Sequence, residues 1–158
     1  TTLEQLGFTV YVGTIVWNQH KAILTNDSNQ KRLVYSSDIS NKELKLQKYS
    51  NETKKNYIKT DKKGESGKVL VINRGYGVGT YKFEYCLIDN LKTEYFIENH
   101  LICVKYTGKD NQNEKVSIKK YEKVMKSFEN NKTSEFISIY FGNNAINTTE
   151  LCKILPIY

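Results

Sequence analysis

The sequence predicts a mostly β protein of the α+β class: a small OB- or SH3-like β-barrel carrying an inserted hairpin–helix module, preceded by a β-rich linker segment. Three observations carry that expectation. Short runs of β-branched and aromatic residues recur along the chain, separated by clusters of Asn, Asp, Ser and Gly. Two of these runs flank the Gly-rich turn Arg74-Gly75-Tyr76-Gly77-Val78-Gly79, as a hairpin requires. One later stretch, Ser117 to Glu129, has the period of an amphipathic helix.

Taken in order, Phe8 to Val12, Thr14 to Trp17, Lys21 to Leu24 and Lys31 to Tyr35 read as strands, with a turn at Asn26-Asp27-Ser28-Asn29. Ser36 to Gly67 is polar and reads as a linker or long surface loop, with a short helix near Lys42 to Tyr49. The hairpin strands are Lys68 to Asn73 and Thr80 to Cys86. Thr93 to Phe96 and His100 to Tyr106 are further strand candidates, and Gly108 to Asn113 is a loop. Ser117 is a suitable helix cap. Ile118, Tyr121, Met125 and Phe128 then recur on one face, with Lys119, Lys120, Lys123 and Lys126 on the others. Asn130-Asn131 ends that helix, Glu135 to Phe141 reads as a last strand, and the final segment Thr149 to Ile154 is stopped by Pro156. Two units are expected: residues 1–60 as a pre-domain linker and 61–158 as the barrel domain.

A chain of 158 residues is long enough to bury a core. Its formal charge of +7 favours polyanionic partners, although Lys and Asn are also simply abundant throughout. No apolar run is long enough for a membrane helix, so no membrane partner is expected and the chain reads as a monomer. The opening Thr1-Thr2-Leu3-Glu4 shows no targeting signal and reads as the start of an excised piece. Three widely spaced cysteines, Cys86, Cys103 and Cys152, form no disulfide framework and fit a reducing compartment, cytoplasmic or nuclear. Asn-x-Ser/Thr sequons at Asn26, Asn51, Asn131 and Asn147 are expected by chance in so Asn-rich a chain.

No catalytic motif stands. Gly64-Glu65-Ser66-Gly67-Lys68 lacks the upstream Gly of a phosphate-binding loop and leads into a strand, not a helix. Gly75-Tyr76-Gly77-Val78-Gly79 fails as a dinucleotide loop for the same reason. His100 and Cys103 could supply two metal ligands, but a site needs more. No enzyme activity, cofactor or metal is expected.

Residues 68–158 resemble a PAZ domain, the module of Argonaute and Piwi proteins, and of Dicer, that holds the 3′ end of a small RNA. The likeness lies in three segments in series. Val69-Leu70-Val71 with Tyr81-Lys82-Phe83 resembles the family's opening hairpin. Glu114 to Tyr121 resembles the entry to its inserted helix, and Thr149 to Ile154 its closing segment. Upstream, Tyr11-Val12-Gly13 and Ala22 to Ser28 resemble the strands that precede the domain in Argonaute and Piwi proteins, a context Dicer lacks. The chain departs from the family at Asn73, Gly79, Lys126 and Thr149, where His, a basic residue, Tyr and Pro are usual.

The resemblance implies a non-catalytic RNA-binding module, part of an Argonaute or Piwi chain that acts in RNA-mediated gene silencing. Its partners would be the 3′ end of a single-stranded small guide RNA and the rest of the parent chain. A strand end needs apolar or aromatic walls for its unstacked nucleotide and hydroxyl or ammonium donors for its last phosphate. Tyr81, Tyr121 and Lys126 are the expected phosphate contacts, with Lys82 and Asn73 beside them. Phe96 or Tyr106, Phe128 and Ile146 are the expected walls. By pattern alone Tyr121, Phe96 and Phe128 fit a core role better than a place in the site. The competing reading is a tandem-Tudor-like chromatin reader that takes a methylated peptide into an aromatic cage. The helix at Ser117 to Glu129 tells the two apart, because a Tudor barrel does not call for one.

Overall fold

The computed structural model describes residues 1–49, 54–74, 83–141 and 147–158. Among the described residues it is mostly β with three α-helices, built in layers. The first sheet has the order β1-β10-β7-β8, from β1 (Phe8–Val12), β10 (Leu101–Tyr106), β7 (Val69–Asn73) and β8 (Tyr85–Ile88), all antiparallel. The second has the order β2-β6-β3-β9, from β2 (Leu24–Thr25), β6 (Tyr57–Ile58), β3 (Lys31–Val34) and β9 (Tyr95–Ile97). Its β3 and β9 run parallel, with Leu33 opposite Phe96. A small hairpin joins β4 (Ile39–Ser40) to β5 (Glu43–Leu44).

Side chains alternate along the strands of the first sheet because the strand period is two. Both sets are apolar, so the sheet is covered on both faces. Leu70, Ile72, Ile102 and Val104 point to the helices, meeting Tyr121, Val124 and Phe128 of α1 (Glu114–Phe128) and Leu151 of α3 (Thr148–Lys153). Val69, Val71, Cys86, Ile88, Leu101 and Cys103 point the other way, against Val34, Tyr95 and Ile97 of the second sheet. Each such large side chain stabilises the fold by roughly 1.5–3 kcal/mol relative to exposure. A third cluster, with Leu33, Tyr35, Ile58 and Phe96, lies on the outer side of the second sheet.

Several expectations are corrected. Among the described residues no sheet closes into a barrel. The helices are not inserted between strands either: α1, α2 (Asn131–Phe141) and α3 all follow β10 and form one layer. Strands from residues 1–60 pair with strands from 61–158, β1 along β10 and β3 along β9. Lys42 to Tyr49 is not helical. Asn41 and Lys42 both take positive φ, 51° and 65°, which makes the tight turn between β4 and β5. Thr14 to Trp17 contributes only an isolated bridge, Ile15 to Glu98, and Lys21–Ile23 is a single 3-10 turn. Glu135 to Phe141 is helical: Thr133 and Ile137 are buried four residues apart, and Phe136 stacks on Tyr140 at 4.2 Å. β1, β3, β7, β9, β10 and α1 form close to where expected. β7 pairs antiparallel with β8, Val71 opposite Cys86, but β8 runs Tyr85–Ile88 instead of Thr80 to Cys86, and the expected turn residues Gly75 to Gly79 with Thr80 to Lys82 lie outside the described residues.

One glycine is dictated by a close approach. A Cβ on Gly13 would lie 2.2 Å from the Glu98 carbonyl oxygen and 2.6 Å from that of Ile97. The Gly13 N–H donates to the Leu101 carbonyl at 2.9 Å, holding the end of β1 against the β9–β10 turn. Gly13→Ala is expected to destabilise the protein by about 1–3 kcal/mol, as overpacking does. Chemical denaturation checks this; an unchanged midpoint would contradict the packing described.

Candidate nucleic-acid interface

α1 is the element that carries positive charge on a regular surface. Its N-cap is Asn113, not Ser117: the Asn113 side chain accepts from the N–H groups of Lys115 and Val116, at 3.1 and 3.3 Å. Ser117, Tyr121, Val124 and Phe128 make the buried face. Lys119, Lys123 and Lys126 recur at helical spacing on an exposed face. They border a groove of about 650 Å³ whose other wall is Ser127, Asn130 and Tyr158. The Tyr158 N–H donates to Ser127 Oγ at 2.9 Å, which sets the last residue of the chain against the end of α1. Tyr158 is 56% exposed, and Lys132 Nζ stands 5.2 Å from its ring centroid. Four cations and one accessible aromatic therefore share one open surface.

Glu122 and Glu129 also border the groove. Glu129 is held by Lys42 Nζ at 2.5 Å and by the Tyr85 hydroxyl, and these two bonds lower its pKa. Its charge is thus locally offset.

A second cavity, about 310 Å³, opens where the start of α1 meets β10, between Lys68, Lys105, Tyr106 and Tyr121. Its cations are already engaged: Lys68 pairs with Glu114, and Lys105 with Glu65 at 3.1 Å.

The expected site residues are divided among several places. Tyr121 and Tyr106 come together at the second cavity, where the Tyr106 N–H donates to the Tyr121 hydroxyl at 2.9 Å. That hydroxyl in turn donates its one proton to the Lys68 carbonyl at 3.1 Å, so in this arrangement it has none left for a phosphate. The Tyr106 hydroxyl donates to Asp110, and its ring packs on Phe8 with centroids 5.4 Å apart. Phe128 lies in the helix-side core, edge-on to Phe83 and Tyr85 at 5.0 and 5.1 Å. Phe96 lies in the third cluster, on the far side of the second sheet, with Lys31 Nζ 5.8 Å from its ring. Phe128 is thus a core side chain that walls neither opening, and Phe96, also buried, lines instead a third, small cavity of about 100 Å³ with Tyr11, Lys63 and Glu65. Asn73 ends β7 and is half-buried. Lys126 is exposed at the groove. Tyr81, Lys82 and Ile146 fall outside the described residues.

Lys119, Lys123, Lys132 and Tyr158 were not among the expected contacts. The lysine spacing on α1 was visible in the sequence; the placement of Tyr158 depends on its bond to Ser127 and was not.

The remaining chemistry is sparse. Burial pushes the Cys86 thiol up to about 12 and raises Cys103 as well, so neither is a ready thiolate. His100 Nδ1 contacts Glu98, and Cys103 lies in the core between the sheets. Among the described residues no group of three potential metal ligands converges, and no helix is long and apolar enough to cross a membrane. Comparison with family models, curated proteins and solved structures finds no match.

Two outcomes follow from this geometry. Tyr121→Phe leaves the Tyr106 N–H and Lys68 carbonyl without their partner, so it is expected to lower stability by about 1–3 kcal/mol while leaving RNA affinity unchanged. Denaturation and titration of the same variant check both; weaker RNA binding at unchanged stability would reverse the assignment. Because the bonds from Lys42 and Tyr85 lower the Glu129 pKa, its contribution is present above the ordinary glutamate range and is lost as pH falls through the lowered value. Wild type should therefore exceed Glu129→Gln in stability at neutral pH and converge with it in acid; a gap that persists at low pH would contradict the pairing.

Proposed function

We propose that this chain is a non-catalytic RNA-binding module that holds a single strand, at its 3′ end, against the exposed face of α1. The observation that carries the reading is the stripe Lys119, Lys123 and Lys126 beside an exposed Tyr158 with Lys132 over its ring. Ammonium groups at turn spacing match a phosphate backbone, and an accessible ring offers a stacking surface that any base can use. The resemblance of residues 68–158 to a PAZ domain supports the choice of RNA and of a strand end. It also brings with it an Argonaute or Piwi parent chain and a cytoplasmic or nuclear setting. The mixed lining of the groove favours single strands over duplex, because the aromatic surface is useful only where bases are unstacked.

Fluorescence anisotropy with a labelled single-stranded RNA tests this. About three phosphate contacts would give a slope of log K against log salt near −2. Lys123→Ala is expected to flatten that slope. Tyr158→Ala is expected to weaken binding by about tenfold, as the loss of one stacked base would. Blocking the 3′ hydroxyl is expected to weaken binding further. If the blocked and free ends bind alike, the 3′-end reading fails and only a basic strand-binding face remains. If duplex binds as well as single strand, the role given to Tyr158 fails.

A further inference from the structure

On the outer side of the second sheet, one cluster of side chains holds a cation. Tyr35 and Tyr49 meet edge to face, with centroids 4.9 Å apart at 67°. Lys54 Nζ stands over both rings, 4.4 Å from the Tyr35 centroid and 4.5 Å from that of Tyr49. It also donates to Ser37 Oγ at 3.2 Å. Ser37 is hydrogen-bonded to the Tyr49 hydroxyl, which donates to Asp38 Oδ1 at 3.0 Å. The chain of hydroxyls below the cation therefore ends on a carboxylate, and that carboxylate is fully buried.

The walls are fixed independently of the cation. The Tyr35 hydroxyl donates to the Lys55 carbonyl at 2.7 Å, and the Tyr49 N–H donates to Asn56 Oδ1 at 3.0 Å. Asp38 accepts from the N–H groups of Tyr35 and Gln47, both at 2.8 Å, and lies 3.6 Å from Arg32 Nη2. Two π faces and a polarised hydroxyl converge on a point where an ammonium already sits, which is the arrangement by which proteins recognise alkylammonium groups.

We propose that Tyr35, Tyr49 and Ser37 form a receptor for the ammonium of a lysine side chain presented by a partner protein, and that Lys54 occupies it in cis. The occupant seen in place is itself a lysine, so the site already accepts that shape and charge. Lys54 reaches the site on a flexible four-carbon stem. The site has two rings and one hydroxyl acceptor. It therefore selects an ammonium that keeps at least one N–H for Ser37 and presents methyl groups to the rings, as dimethyl-lysine does. Trimethyl-lysine has no such donor, and acetyl-lysine has no charge. The inference is independent of the RNA reading, because it uses none of the residues of the α1 face.

The test compares the full chain with its Lys54→Ala variant, titrated with capped dimethyl-lysine, capped trimethyl-lysine and capped acetyl-lysine and read by saturation transfer to the ligand methyl protons. Dimethyl-lysine is expected to bind the variant at least about tenfold more tightly than wild type, trimethyl-lysine more weakly, and acetyl-lysine not measurably. Lys54→Met should behave as Lys54→Ala does. Adding Tyr49→Leu should remove binding; if that change unfolds the protein, Tyr49→Phe, which keeps the ring and loses only the hydroxyl, should reduce binding without abolishing it. Equal binding by wild type and a folded Lys54→Ala, binding of acetyl-lysine, or no binding by the folded variant would each overturn the proposal.

Discussion

The first sheet is apolar on both faces, and the rest of the molecule is arranged to keep water from each. β7 shows this best: Val69, Val71 on one side and Leu70, Ile72 on the other are all buried. A strand with no polar face cannot sit at the surface, so one layer must cover each side. Helices α1 and α3 cover one, and the second sheet covers the other. A register slip of one residue in β7 would exchange one apolar set for another and so would not be penalised by polarity alone. Register is instead set by shape and by specific bonds such as Tyr106 N–H to Tyr121 and Tyr121 to the Lys68 carbonyl, which tie α1 to β10 and to the entry of β7.

That tie explains how the exposed lysine face is divided from the scaffold. By holding Tyr121 inward, it turns Lys119, Lys123 and Lys126 outward. The tyrosine that seemed the natural phosphate ligand is tied to the scaffold, and the side chains left exposed are the lysines one face away. At Tyr35 and Tyr49, likewise, rings packed into the third cluster turn a π face to the Lys54 ammonium.

What the sequence made legible follows from which signals are local. The strands β1, β3, β7, β9 and β10 and the buried stripe of α1 are written in residue period, and they form close to where read, while the Gly-rich turn expected after β7 lies outside the described residues. The mostly β character was legible for the same reason. The layer order was not, because β1 pairs with a strand about ninety positions away and β3 pairs in parallel with β9 across the middle of the chain; neither leaves a local mark. The strand expected at Glu135 to Phe141 was misread because Phe136, Ile137, Ile139 and Tyr140 have high β propensity, which tertiary packing of Ile137 overrides. On α1, Lys126 was expected as a contact while Lys119 and Lys123 on the same face were not, and Tyr158 and the Lys54 cluster depend on contacts between residues distant in sequence.

The central claim is that a nucleic acid strand lies on the exposed face of α1. Photo-crosslinking of a 4-thiouridine-labelled single-stranded RNA, with the linked peptides identified by mass spectrometry, locates the strand directly. The account predicts crosslinks to Tyr158 and to residues between Lys119 and Lys126. Crosslinks concentrated instead around Lys68, Lys105 and Tyr106, with none on α1 beyond Tyr121, would contradict it.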